Sequence, residues 1–345
     1  MENDRNFGYN HDLWKYCTAE QTWEMLRSFR LLENTSVREE KYLACLYAVS
    51  NHVEQHYHEA FIPKKSGGKR KLFVPDPLLK TIQRNIVKHV LAELPISSYA
   101  TAYRKGSSLA DNARPHVGKA QVLKLDMKDF FQNITFPLVY QYAFPATHYP
   151  PAVRKMLAAL CCYKDCLPQG APSSPAVSNL VMRPFDEYMG KWCGERQIQY
   201  TRYCDDMTFS GIFDKQEVKQ KVKSFLYVLG FELNEKKTSV QKQCHRQTVT
   251  GVVVNEKLQV SRAYRKQLRS EIYYCQKYGV ESHLQKLKEK MEGKGNLPIW
   301  LSGEKPDAEK YMQQLAGKIN YVLQINPEDE YFRGKKKELE VNKEF

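Results

Sequence analysis

The stretch YTRYCDDMTFSG, residues 200–211, sets two adjacent carboxylates, Asp205 and Asp206, between two strand-like runs. Tyr200, Tyr203, Cys204, Met207 and Phe209 around them are apolar or β-favouring. On the dipeptide alone a hairpin turn accounts for this, because Asp is a common turn residue and both flanks read as short strands. A turn, however, does not need two carboxylates that repel each other, whereas a divalent cation does. The feature asks for a tight hairpin tip at a point of concentrated negative charge. It raises the question of a third carboxylate and of groups that handle phosphate.

The chain of 345 residues is long enough for two or three subdomains and a sizeable core. It is 42% hydrophobic, which fits a globular rather than a disordered protein. Lys and Arg number 53 against 39 Asp and Glu, a formal net charge of +14. That excess calls for a polyanionic partner, nucleic acid or an acidic membrane surface. No run of about 18 apolar residues suggests a membrane span. The N-terminal MENDRNFGYNHDLWKYC is acidic, polar and aromatic, unlike a signal peptide. A soluble cytoplasmic protein with no membrane partner is expected.

Nine cysteines are scattered without framework spacing. Cys161, Cys162 and Cys166 cluster in CCYKDC, but no second Cys/His pair of the zinc-site type follows, so buried reduced thiols are the simpler reading. In HVEQHYH, His52 and His56 lie four apart on an expected helix. They could bind a metal, yet no Glu-containing zinc-protease pattern surrounds them.

Residues 12–60 read as helices, with Trp23, Leu26, Leu31, Leu43, Leu46 and Val49 at near-helical spacing. IPKKSGGKRKLFVPDP then reads as two strands around a Gly-containing turn, and LLKTIQRNIVKHVLAEL returns to helix. After residue 255 the pattern is mostly helical and rich in Lys and Arg. Three regions follow: an N-terminal helical region 1–60, a mixed core 61–255 and a basic helical region 256–345.

A third carboxylate is available in VLKLDMKDFF. Leu123 and Leu125 fall on one face of a strand, and Val122, Lys124 and Asp126 on the other. Asp126 at the strand end could simply cap the next helix. Beside the Asp205–Asp206 tip it could instead share two Mg²⁺ ions, which prefer oxygen ligands and leave room for phosphate oxygens. Asp129, three residues past Asp126, is expected to face solvent or a local cation. In LPQGAPSSPAVSNLVMRPFDEYM, Ser174 followed by Pro175 reads as an N-cap and a first-turn proline, with a Gly-containing loop in front. Gln169 in that loop could hydrogen-bond a ligand; an ordinary loop-to-helix junction is the alternative.

DMKDFF, LPQGAPSSPAVSN, YCDD and LGFELNEKKT, in this order, resemble the successive palm motifs of reverse transcriptases over about residues 60–255. The resemblance implies an α+β right-hand polymerase: fingers and palm in 61–255, the palm an antiparallel sheet packed on helices, and a helical thumb in 256–345. By motif position, Asp126, Asp205 and Asp206 match the catalytic triad that holds two Mg²⁺ ions. Phe131 matches the aromatic gate against ribonucleotides, and Gln169 the nucleotide-pocket glutamine. Arg70 matches the fingers residue that grips the triphosphate of a deoxynucleoside triphosphate, with Lys64 or Lys65 in support. Lys237 matches the lysine near the pyrophosphate leaving group. Cys204 stands where alanine is commoner, a small-for-small change.

Two shorter patterns narrow the resemblance. Asn112, Ala113 and His116 in DNARPH fit the NAxxH pattern of retron reverse transcriptases, and Val249, Thr250 and Gly251 fit their VTG pattern. The implied activity is RNA-directed DNA synthesis on part of a cognate structured noncoding RNA. The product would be an RNA-linked single-stranded DNA (msDNA) primed from a guanosine 2′-OH, in an antiphage defence particle with a separate effector protein. Asn112, His116, Val249, Thr250 and Gly251, with Arg262, Arg265, Lys266 and Arg269 in SRAYRKQLR, are the expected RNA contacts. The alternatives are a group II intron-like or diversity-generating reverse transcriptase, or a non-catalytic RNA-binding scaffold.

Overall fold

The computed structural model describes residues 13–63, 67–291, 298, 300–301 and 305–342. Thr18 opens α1 (Ala19–Ser28) with a capping box: its hydroxyl accepts from the Gln21 amide, and the Gln21 side chain accepts from the Thr18 amide. Helix α2 (Tyr42–Asn51) buries Tyr42, Leu46 and Val49, the i, i+4, i+7 stripe of a one-sided helix. The Tyr42 hydroxyl fastens it to α1 by donating to the Leu26 carbonyl at 2.9 Å.

The sequence reading carries helix through residue 60, but the chain leaves it at a 3₁₀ turn over Val53–His56 and enters β1 (Tyr57–Pro63). His52 and His56 therefore do not share a helix face. His56 Nδ1 instead meets Asp76 Oδ2 at 2.7 Å. Strand β2 (Lys69–Pro75) pairs antiparallel with β1, with Ile62 opposite Arg70. Asp76 then caps α3 (Pro77–Ile86), its Oδ1 accepting from the Leu79 amide at 2.8 Å, with Pro77 in the first turn.

Further along come β3 (Gln121–Asp126), α4 (Pro151–Cys161), α5 (Ser174–Gly194), β4 (Gln199–Tyr203), β5 (Asp206–Gly211), α6 (Lys215–Val228) and β6 (Ser239–Lys242). These strands form a four-stranded sheet in the order β4-β5-β3-β6. Both faces of β3 are covered, since Val122, Leu123, Leu125 and Asp126 are all buried. At the start of α5 the cap position is Ser173, not Ser174. The Ser174 hydroxyl donates to the Pro168 carbonyl at 2.8 Å, so it braces the preceding loop instead of the helix end.

Among the described residues a short pair, β7 (Thr248–Val249) and β8 (Val252–Val253), precedes four helices: α7 (Arg262–Tyr278), α8 (Val280–Met291), α9 (Ala308–Ile325) and α10 (Glu330–Asn342). The chain divides into two compact units. The first comprises Met1–Gly106, Lys124–Met207 and Phe213–Ser239. Its core includes Leu46, Leu79, Ile82, Ile86, Leu157, Val181 and Phe185, each fully buried. The second comprises Ser107–Leu123, Thr208–Ile212 and Val240–Phe345. There α9 buries Tyr311, Leu315, Ile319, Val322 and Ile325 against Leu268, Ile272 and Cys275 of α7, with Val122, Val249 and Val252 in the same core. Each such buried aliphatic side chain contributes about 1.5–3 kcal/mol.

Candidate active site

The first unit holds a cleft of about 680 Å³. Arg70, Asp126, Phe131, Gln169, Asp205, Asp206 and Lys237 all line it, although they come from five separate stretches of sequence. Asp126 ends β3, Asp205 sits in the tight turn between β4 and β5, and Asp206 opens β5 at that tip. The tip is tied to β3 by the Met127 amide, which donates to the Asp205 carbonyl at 3.1 Å. The carbonyl of Asp126 accepts from the Asn234 amide at 2.8 Å, and this brings the segment carrying Lys237 alongside.

Asp126 is 5% exposed. Its Oδ2 accepts from Lys237 Nζ at 2.8 Å, while its Oδ1 is buried with no hydrogen-bond partner among the described residues. A buried carboxylate oxygen left unpaired is costly, so a cation at this oxygen would relieve it. Burial raises the Asp205 carboxyl above the usual range, and the Asp126 charge adds to that. Asp206 opens to solvent at the cleft, yet burial of its carboxyl and then the charges of Asp205 and Asp126 push it up to about 6. Two carboxylates that resist ionising beside the charge of a third are the electrostatic counterpart of divalent-cation ligands. Lys237 responds in the opposite sense: its bond to Asp126 raises its pKa. Among the described residues no three His, Cys, Asp or Glu side chains form a ready-made metal cluster.

The opposite wall is built by β2 and the loop before α5. The Gln169 carbonyl accepts from the Phe73 amide at 2.8 Å. Gly170, at φ +120°, has no room for a side chain, because a Cβ there would lie 2.7 Å from the Phe73 carbonyl oxygen. Glycine is thus required where the loop presses onto β2. Arg70 is exposed on this wall. Phe130 is buried against Phe231, with ring centroids 6.0 Å apart, which leaves the next ring, Phe131, half-buried at the cleft. Asp129 is exposed. Lys64 and Lys65 lie outside the described residues. Lys69, Lys71, Tyr103 and Asn234 also line the cleft and were not singled out from sequence. Only the closed fold brings Tyr103 near the tip, where its hydroxyl donates to Cys204 Sγ at 3.5 Å.

The second unit brings the two short patterns together. Thr250 and Gly251 form the turn between β7 and β8, at φ +46° and +87°. Gly suits that conformation, whereas a β-branched Thr does not. Asn112 Nδ2 supports it by donating to Thr250 Oγ1 at 3.2 Å. Asn112, His116 and Val249 are each 0% exposed. The expectation that their side chains contact RNA is corrected on that ground, because packing leaves them no surface. Thr250 and Gly251 keep theirs.

On α7, Arg262 and Lys266 are exposed. Arg265 is committed elsewhere, donating to Asp329 Oδ2 at 2.6 Å. The Arg269 guanidinium lies 4.5 Å from the centroid of the Tyr331 ring. Among the described residues no helix is long and apolar enough to cross a membrane.

Residues 62–254 match the family model described as reverse transcriptase (RNA-dependent DNA polymerase). Retron Mx65 reverse transcriptase of Myxococcus xanthus is 32% identical over 293 residues, covering 79% of this chain and 62% of that protein. Against that relative the chain spans less than two thirds of the length. Retron Ec86 reverse transcriptase of Escherichia coli is 33% identical over 222 residues, covering 62% of this chain and 68% of the relative. Retron Ec83 reverse transcriptase of the same species is 34% identical over 236 residues, covering 63% and 75%. The family match takes in more than half of the chain, and two of these relatives are matched over more than two thirds of their length. The chain belongs to the reverse transcriptases, RNA-dependent DNA polymerases with an α+β right-hand fold, and within them to the retron branch.

Proposed function

We propose that this protein copies part of a cognate structured noncoding RNA into an RNA-linked single-stranded DNA, beginning at a guanosine 2′-OH of that RNA. The observation that carries the polymerase chemistry is the convergence of Asp126, Asp205 and Asp206 with Arg70, Phe131, Gln169 and Lys237 on one cleft, beside an unpaired buried carboxylate oxygen. Residues 61–255 act as fingers and palm, and 256–345 as thumb. Two Mg²⁺ ions held by the three aspartates would supply Lewis-acid activation of the priming hydroxyl and neutralise phosphate charge.

The remaining work belongs to side chains. Arg70 grips the triphosphate of the incoming deoxynucleotide with its planar fork. Phe131 fills the space a ribose 2′-OH would need, and Gln169 hydrogen-bonds in the nucleotide pocket. Lys237 neutralises the departing pyrophosphate and can give it a proton. Lys64 and Lys65 assist Arg70. Arg262 and Lys266 on α7 neutralise RNA phosphates, and the Thr250–Gly251 turn, braced by Asn112, offers backbone to the same RNA. The particle acts in the cytoplasm in antiphage defence, with a separate effector protein.

Sequencing the nucleic acid that copurifies with the protein, before and after a 2′,5′-debranching enzyme, tests this reading. A DNA that migrates faster after debranching is expected. A DNA with a free or 3′-linked RNA primer refutes 2′ priming. Asp205→Asn is expected to lower primer extension by orders of magnitude in a folded protein; unchanged extension refutes the polymerase site.

A further inference from the structure

Beneath the tip that carries Asp205 and Asp206 lies a buried ion pair that the motifs of the cleft leave unexplained. Arg202 of β4 and Asp186 of α5 are both 0% exposed. The guanidinium meets the carboxylate with two bonds, Nε to Oδ1 at 2.8 Å and Nη2 to Oδ2 at 2.6 Å. Nη2 also donates to Asn179 Oδ1 at 3.2 Å, and the Tyr200 hydroxyl donates to Asp186 Oδ1 at 2.8 Å. From this cluster Nη1 donates to the backbone carbonyl of Cys204 at 2.9 Å, and Asn179 Nδ2 donates to the Ala102 carbonyl at 2.8 Å.

Cys204 is the first residue of the tip, at φ +60°. A residue with a Cβ is strained there and keeps that shape only where its surroundings over-determine it. Three contacts do so: Arg202 on the Cys204 carbonyl, Tyr103 on the Cys204 sulfur, and the Met127 amide on the Asp205 carbonyl. A buried ion pair is a poor way to gain stability alone. Desolvation offsets most of the attraction, and well-packed apolar replacements are often as stable. An apolar pair cannot, however, reach a helix carboxylate, a helix amide oxygen and a turn carbonyl from one rigid fork.

We propose that Arg202, fixed by Asp186 and Asn179, is a positioning residue for catalysis: through the Cys204 carbonyl it sets where Asp205 and Asp206 stand relative to Asp126. The inference rests on the polymerase reading of the cleft and adds to it a residue that touches neither nucleotide nor primer.

Two variants separate positioning from support. Arg202→Lys keeps the charge and loses the fork. Arg202→Met combined with Asp186→Leu removes the pair without leaving a lone buried charge. Single-turnover primer extension per active site, deoxynucleotide KM, equilibrium Mn²⁺ binding without nucleotide, and thermal unfolding are measured for each. The double variant is expected to unfold near the parent's temperature while extending about a hundredfold more slowly, the scale of a misplacement of about 1 Å. KM should stay within about threefold, as for a group that acts after binding. Mn²⁺ should bind about tenfold more weakly, as when a metal ligand loses its orienting partner.

A folded variant with the parent's rate per active site and the parent's Mn²⁺ affinity overturns the proposal, since a purely structural strut alters only the folded fraction. If the double variant fails to fold, Arg202→Lys decides by the same two readouts. An inactive parent would refute the polymerase reading instead, and Mn²⁺ affinity would still test the positioning of the tip.

Discussion

His116 has no solvent exposure and shares Nδ1 with the Ser210 hydroxyl at 2.7 Å. Burial, with a smaller effect from Lys119, holds its imidazole neutral down to about pH 3. The unfolded chain takes up that proton near pH 6.5, so between those values the unfolded state binds more protons and stability is lost as the pH is lowered. The slope from this residue is about 1.4 kcal/mol per pH unit. His116→Asn, which keeps a donor near the Nδ1 position, should remove that slope; urea unfolding of parent and variant at pH 7, 5.5 and 4.5 measures it. An identical pH dependence in the two proteins would contradict the assignment. Phe131 makes a second residue-scale prediction. Phe131→Ala should raise ribonucleotide relative to deoxyribonucleotide incorporation by about tenfold or more, since a steric gate with its ring removed leaves space for the 2′-OH. Steady-state incorporation with each triphosphate checks it. At this scale the sequence was most legible where a motif also fixes geometry: the aspartates and Gln169 reach one cleft. It was least legible for Asn112 and His116. Their motif could be read, but whether a polar side chain faces RNA or a buried hydroxyl depends on what packs over it.

Among the elements, the junction of β2 with the loop before α5 matters most for the cleft. Gly170→Ala would drive a Cβ into the Phe73 carbonyl and force a backbone that L-residues avoid. It should cost about 1–3 kcal/mol of stability. Because Gln169 and Arg70 sit on the two elements that would be pushed apart, deoxynucleotide KM should rise by about tenfold. An unchanged KM in the folded variant would separate the junction from nucleotide binding. Helix α7 allows a sharper test than its composition did. Replacing the exposed Arg262 and Lys266 by Ala should weaken RNA binding across sequences and lower the salt slope by about one unit per cation. Arg265→Ala should instead destabilise the second unit, because Asp329, 6% exposed, loses its partner. RNA titrations at several salt concentrations and thermal melts distinguish the two outcomes. Helices, the β1–β2 hairpin and β3 were readable from periodicity and turn residues. The strand start at Tyr57 was not, since apolar spacing near a helix end serves either element; nor was the Arg202–Asp186 pair, whose partners stand sixteen residues apart.

The net charge of +14 acts over the entire molecule. It predicts fast, salt-sensitive association with RNA, with log affinity falling linearly in log salt; equal affinity at low and high salt would contradict it. The division into two units carries another consequence, which concerns synthesis. The second unit is assembled from three separate stretches, the first ending at Leu123 and the last beginning at Val240. Val122 leaves the ribosome about 190 residues before Tyr311 and the rest of the α9 stripe that shares its core. At roughly 5–20 residues per second the wait is about 10–40 s. For about the first two thirds of that interval, until Val249 emerges, Ala110, Ala113 and Val122 lack every buried core partner that follows them in sequence. A nascent chain halted before α9 should therefore be protease-sensitive in residues 107–123, and one halted after Ile325 protected there. The order of translation makes this polymerase a late-closing protein, one in which the earliest core residues of the second unit are not fully covered until α9 and α10 arrive.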